Sequence, residues 1–300
     1  MVVLLSLLAA LAFAFGNVLQ QKGTLDVPAE ANDPRFLAQI LERPVWLVGG
    51  ALQGAGWILQ AAALDRGSLV VVQSLTTTSL VMALPLGVRF TNQQVSRRVV
   101  VGAIVMVLGI TGFLLVGSPH GGTSNPSAQA WWTTGILATA LVALLTAGAL
   151  RRTGAMRALF FGSAAGICFA LQASVTKVFV GLIGDGAHAI LSSWTIYALI
   201  VSALVGFGLQ QSALKSGVLA PAMASSNAVT MVASILIGVT TFGEALSSGD
   251  NRLAPALIGL AAALVGVVLL AGQEAPTNPG QPPPRLLRED TSREMGVTDG

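Results

Sequence analysis

LQAAALDRGSLVVVQSLTTTSLVMALPLGVRF, residues 59–90, has an echo in LQQSALKSGVLAPAMASSNAVTMVASILIGVTTF, residues 209–242. At a constant offset the two share Leu59/Leu209, Gln60/Gln210, Leu64/Leu214, Gly67/Gly217 and Leu69/Leu219. Each reads as the end of an apolar helix, a short polar turn and a second apolar helix. The second helix carries hydroxyls and amides in its middle: Ser74, Thr76, Thr77, Thr78 and Ser79 in one copy, and Ser225, Ser226, Asn227 and Thr230 in the other. A repeated helix pair with polar groups at mid-membrane depth points to a central site between two halves of a membrane protein.

Composition agrees. The chain is 53% hydrophobic with only 10% charged residues, against about 25% charged in a soluble domain. Its mean hydropathy is +0.75. Runs of about 20 apolar residues are long enough to cross a bilayer. They fall at 1–21, 46–64, 68–88, 99–116, 131–150, 158–183, 189–210, 217–242 and 253–271. The first lacks the basic n-region of a signal peptide and exceeds an h-region in length, so it counts as a span. The expected fold class is therefore an all-α integral membrane protein with nine transmembrane helices. Asp33-Pro34 reads as an N-cap and first helical position of a short surface helix near 34–43. The tail, 273–300, is rich in Pro and charge and is expected to be disordered. The single cysteine, Cys168, permits no intrachain disulfide.

The net charge of +3 reflects loops and not a nucleic-acid surface. Lys22, Arg35, Arg43, Arg89, Arg97, Arg98, Arg151, Arg152, Arg157, Lys215 and the tail arginines fall on the side of the C-terminus, and Arg66 and Arg252 on the other. The positive-inside rule then puts the C-terminus in the cytoplasm and the N-terminus outside, in a plasma or inner membrane. Spans one to four echo spans six to nine, and Gly-x6-Gly recurs as Gly102/Gly109 and Gly259/Gly266. An offset of five helices inverts the second copy. The expected organisation is a first repeat over 1–117, an outer loop, fifth helix and basic inner loop over 118–157, and an inverted second repeat over 158–272.

Candidate site residues follow from depth. Thr76, Thr77 and Thr78 with Ser225, Ser226 and Asn227 either line a substrate pocket or merely bond between helices. Gln60 and Gln210 are paired by the repeat. Trp57 lies away from the interfaces and reads as an aromatic wall for a cation or as plain packing. Lys177 is the only charge inside a span; it either snorkels to the surface or serves gating or coupling. Glu244 ends the eighth span, as a solvated helix end or as an outer gate or coupling carboxylate. His120 and His188 read as solvated loop residues, and no metal ligand set can be named. There is no Walker motif, no intramembrane carboxylate pair and no nucleophile–base set. No enzyme activity and no cofactor are expected.

Phe242-Gly243-Glu244 followed by a Gly-x6-Gly span resembles the EamA repeat of the drug/metabolite transporter superfamily. The layout, with Gln20–Gly23 ending the first span, is similar to the NIPA-like magnesium transporters. The resemblance covers about residues 1–272 and implies nine spans, an outside N-terminus and transport of a small solute by alternating access, with magnesium as substrate. Asn92 stands where the first repeat would match Glu244, so a carboxylate implied by the resemblance is missing there. Export of a small organic metabolite or drug-like cation, and a non-transporting role in membrane interaction or lipid handling, remain alternatives. The expected partners are a small-molecule or ion substrate and the lipid bilayer, with no nucleic acid; the oligomeric state is open, a homodimer included.

Overall fold

The computed structural model describes residues 1–25, 41–91, 95–214, 219–246 and 253–270. The surface helix near 34–43 and the tail over 273–300 lie largely or wholly outside the described residues, as does Asn92. Among the described residues nine helical segments are long and apolar enough to cross a membrane. The chain is an all-α, multi-pass membrane protein.

Its helices are α1 (Val2–Leu25), α2 (Pro44–Arg66), α3 (Leu69–Thr76), α4 (Ser79–Thr91), α5 (Arg97–Gly117), α6 (Ala128–Leu150), α7 (Gly154–Gly181), α8 (Ala187–Ser192), α9 (Trp194–Leu214), α10 (Leu219–Thr240) and α11 (Leu253–Leu270). Two short strands, β1 (His120–Gly121) and β2 (Glu244–Ala245), pair antiparallel. Two boundaries differ from the sequence expectation in ways that matter for the site. The eighth span stops at Thr240, so that Phe242, Gly243 and Glu244 form a turn into β2. The third span is two helices, α3 and α4, separated at Thr77–Thr78.

The physical cause of the break is local. Thr78, Leu80 and Val81 donate their amides to Leu75, Thr77 and Thr78 three residues back, which tightens the backbone into a 3-10 turn. The Thr77 and Thr78 hydroxyls compete for the carbonyls of Gln73 and Leu75. Pro85 inside α4 removes a further donor.

Lipid offers no hydrophobic drive between helices, so they meet where small residues let backbones approach. The closest crossing joins α5 to α11. A Cβ on Gly109 would collide with the Ala263 backbone nitrogen and lie 2.7 Å from the Gly259 carbonyl oxygen. One on Gly259 would lie 2.6 Å from the Phe113 nitrogen. The sequence's Gly-x6-Gly pairs are thus the contact itself. Gly16 and Gly49 do the same between α1 and α2, and Gly162 and Gly166 between α7 and α10. Large apolar side chains such as Leu108, Leu144, Leu204 and Ile258 point outward, as a bilayer requires.

At the centre of the bundle α3 packs against α1, α7 and α10. Leu69 and Val72 pack with Ala170, Ala173 and Ile237, and Val70 packs with Met231, Ile235 and Met106. A short helix enclosed on all sides must have its free amides satisfied internally. That requirement builds the site.

Candidate functional site

The first three amides of α3 are all capped by side chains. The Ser68 hydroxyl accepts from the Val71 N–H at 3.1 Å. The Glu244 carboxylate takes the other two: Oε1 accepts from Leu69 at 2.5 Å and Oε2 from Val70 at 2.9 Å. A carboxylate at a helix N-terminus meets both the free N–H groups and the positive end of the helix dipole. Glu244 reaches this place because Gly243, at φ +65°, reverses the chain after α10. It then folds back so that a Cβ on Gly238 would lie 2.8 Å from Oε2.

The same carboxylate also holds Lys177. The ammonium Nζ donates to Glu244 Oε1 at 2.6 Å, with the two side chains 9% and 0% exposed. Nζ also lies 4.9 Å from the centre of the Phe242 ring, whose face attracts a cation. One carboxylate therefore ties together α3, α7 and the turn after α10. A strap covers it from the side. β1 pairs Gly121 with Glu244, and Thr123 donates to the Phe242 carbonyl at 2.8 Å. A Cβ on Gly122, at φ +90°, would lie 2.8 Å from Glu244 Cγ.

Over this closure, at the end of the bundle where Gly67 meets Val2, lies a vestibule of about 620 Å³. Asp65, Arg66, Ser68, His120, Ser124 and Asn125 are among its lining residues, and Lys177 reaches it from below.

Three expectations change here. Glu244 is 1% exposed, so it is not a solvated helix end. Lys177 does not snorkel outward; it is paired with Glu244 and its ammonium lies over the Phe242 ring. The two are not separate candidates but one ion pair, which sequence reading missed because 67 residues separate them. The usable signal was the Phe242-Gly243-Glu244 turn: a glycine before a lone carboxylate at a span end allows it to fold back.

The hydroxyl clusters are largely turned on their own helices. Thr76 and Thr77 donate to the Gln73 carbonyl at 3.1 and 2.7 Å, and Thr78 to Leu75 at 2.5 Å. Ser225 donates to Ala222 at 3.2 Å and the Asn227 amide to Met223 at 2.8 Å. The hydroxyl protons are used, leaving acceptor lone pairs, while the Asn227 amide keeps a second N–H beyond the one given to Met223. Ser226 is buried. Gln60 is half-buried. The Gln210 amide nitrogen contacts Met223 Sδ at 3.3 Å while its oxygen is buried without a partner. Trp57 is 53% exposed and faces away from the bundle interior, where it offers no wall to a central pocket. Among the described residues no cluster of three or more His, Cys, Asp or Glu side chains could hold a metal ion.

The chain is distantly similar to known proteins. No protein-family model matches the chain, and no solved structure matches it. An uncharacterised protein of Corynebacterium glutamicum is 26% identical over 274 residues, covering 90% of this chain and 94% of the relative. The probable magnesium transporter NIPA9 of Arabidopsis thaliana is 23% identical over 277 residues, covering 89% of this chain and 80% of its own.

Proposed function

We propose that the chain is a secondary membrane transporter of a small solute, NIPA-like, working by alternating access between two inverted repeats. The observation that carries this reading is the closure at one end of the bundle: Glu244 joins the half-helix α3 to Lys177 beneath a polar vestibule. Discontinuous helices with ion-holding termini are how transporters build gates and sites without exposing free backbone to lipid. Lys177 and Glu244 form the gate, closed in this conformation.

Helix neighbours support the repeat. α1 lies against α2 and α4 as α7 lies against α9 and α10, and α5 meets α11 across the molecule. These are the relations expected of two similar halves about a pseudo-two-fold axis. Magnesium is the first solute to test, because the Arabidopsis relative carries that name. The ion usually keeps several waters and needs only one or two carboxylates, so a site with no acidic cluster does not exclude it.

The test is flux into proteoliposomes holding the purified chain, with magnesium against a panel of small organic cations. Magnesium uptake above that of empty vesicles is the expected result. Movement of an organic cation alone replaces the substrate, and no flux of either removes the transporter reading. Orientation is tested separately, from the Lys/Arg asymmetry. With Cys168 replaced by Ala, a cysteine introduced at Ser124 should react with an impermeant thiol reagent on intact cells. A cysteine at Pro283 should not, and labelling there reverses the orientation.

A further inference from the structure

Most hydroxyls in the middle of these helices donate back to a carbonyl on their own helix, as Ser6, Ser174, Thr176 and Thr230 do. Ser74 and Ser234 do not. Both are 0% exposed, and neither Oγ has a partner. The Gln73 amide nitrogen, on a side chain 4% exposed, is also without one. Buried polar groups are nearly always satisfied, and an exception calls for an explanation.

Helix geometry puts these three residues at one level. α3 and α10 run antiparallel, and Val70 of α3 meets Gly238 of α10 beside the Glu244 carboxylate. One helical turn further along each helix come Ser74 and Ser234, on the faces carrying that contact. Gln73 is the neighbour of Ser74 on α3, one helical turn on from Leu69. Among the described residues, the other two buried side-chain atoms without a partner, Thr146 Oγ1 and Gln210 Oε1, are on α6 and α9.

We infer that Gln73, Ser74 and Ser234 form the contact point for the solute directly beneath the Lys177–Glu244 closure, in place of the Thr76–Thr78 and Ser225–Asn227 hydroxyls. This rests on the transporter reading. The set is neutral and can both donate and accept. It suits a neutral oxygen: a coordinated water on a hydrated cation, or the hydroxyl of a polar organic solute. It offers no charge to a bare divalent ion. Leaving these groups unsatisfied destabilises the empty protein, and the solute's hydrogen bonds offset that.

The substitutions Ser74→Ala and Ser234→Ala separate a ligand role from a structural one. Removing an unsatisfied hydroxyl leaves the unfolding midpoint equal to or above the unsubstituted protein's. Removing a solute contact raises KM for magnesium uptake about tenfold, and the double variant adds little because both hydroxyls hold one group. Unchanged KM in both variants overturns the inference while leaving the transporter reading intact. A lowered midpoint with unchanged KM also overturns it, and assigns the hydroxyls to a structural water. If the unsubstituted protein moves neither magnesium nor choline, the transporter reading itself fails and the inference falls with it. Hexaamminecobalt(III), a fixed mimic of a hydrated cation, distinguishes the two sources. Inhibition that weakens about tenfold in the Ser variants marks a coordinated water. Choline uptake with the same KM change and no such inhibition marks an organic hydroxyl.

Discussion

Glu244→Gln should destabilise the bundle by about 3–5 kcal/mol, the cost of leaving one member of a buried ion pair alone. Lys177→Met should cost clearly less. The asymmetry follows from what each partner keeps. Without Lys177, the Glu244 carboxylate retains the Leu69 and Val70 amides and the positive end of α3. Without the Glu244 charge, the ammonium retains the Phe242 ring at 4.9 Å and little else within the fold. The double variant should recover part of the loss, because no buried charge is then left unpaired. Thermal unfolding of the four proteins in detergent measures this as a double-mutant cycle. Equal losses for the two single variants would show that the helix cap contributes nothing. In the flux assay, Lys177→Met should reduce transport and Lys177→Arg should be intermediate, since Arg keeps the charge but not its geometry. Wild-type transport in both would make the pair structural.

Gly109→Leu should be the most damaging single change in the membrane region. Even a methyl group there meets the Ala263 nitrogen and the Gly259 carbonyl oxygen, both backbone atoms that cannot rotate away. α5 and α11 would have to separate, losing the close packing that holds them in lipid. The expected loss exceeds about 4 kcal/mol, the range reserved for gross steric conflict or cavity formation. Gly112→Leu is the matched control. It lies on the same helix, and a Cβ there has nothing within 4 Å. Size-exclusion chromatography in detergent should show a monodisperse peak for Gly112→Leu and aggregate or no protein for Gly109→Leu. Similar behaviour of the two would mean that the α5–α11 crossing does not carry the fold.

Much of the architecture was legible because the bilayer imposes a length. A helix must present about 20 apolar residues to span it, and nine such segments could be counted directly. The Gly-x6-Gly pairs were legible for the same reason that they matter. Without hydrophobic drive, only small residues bring helices together, so their spacing marks the contact.

Direction and partnership could not be read. Whether Thr77 points a proton at a solute or at the Gln73 carbonyl depends on a side-chain rotation and on a 3-10 turn that the sequence TTT does not announce. Trp57 looked central by position, but which face of α2 meets α1 depends on the glycines at 49 and 56, which leave Trp57 facing outward. Above all, Lys177 and Glu244 were each visible as misplaced charges in an apolar chain, and their identities alone left each open between a solvent-facing side chain and a gate. Only the fold supplied what keeps them buried. It brings α7, the glycine turn after α10 and the unsatisfied amides of α3 to one point, where each charge is compensated by groups distant in sequence. A lone charge in lipid is too costly to persist, and the compensation is a property of the assembled bundle and not of any one segment.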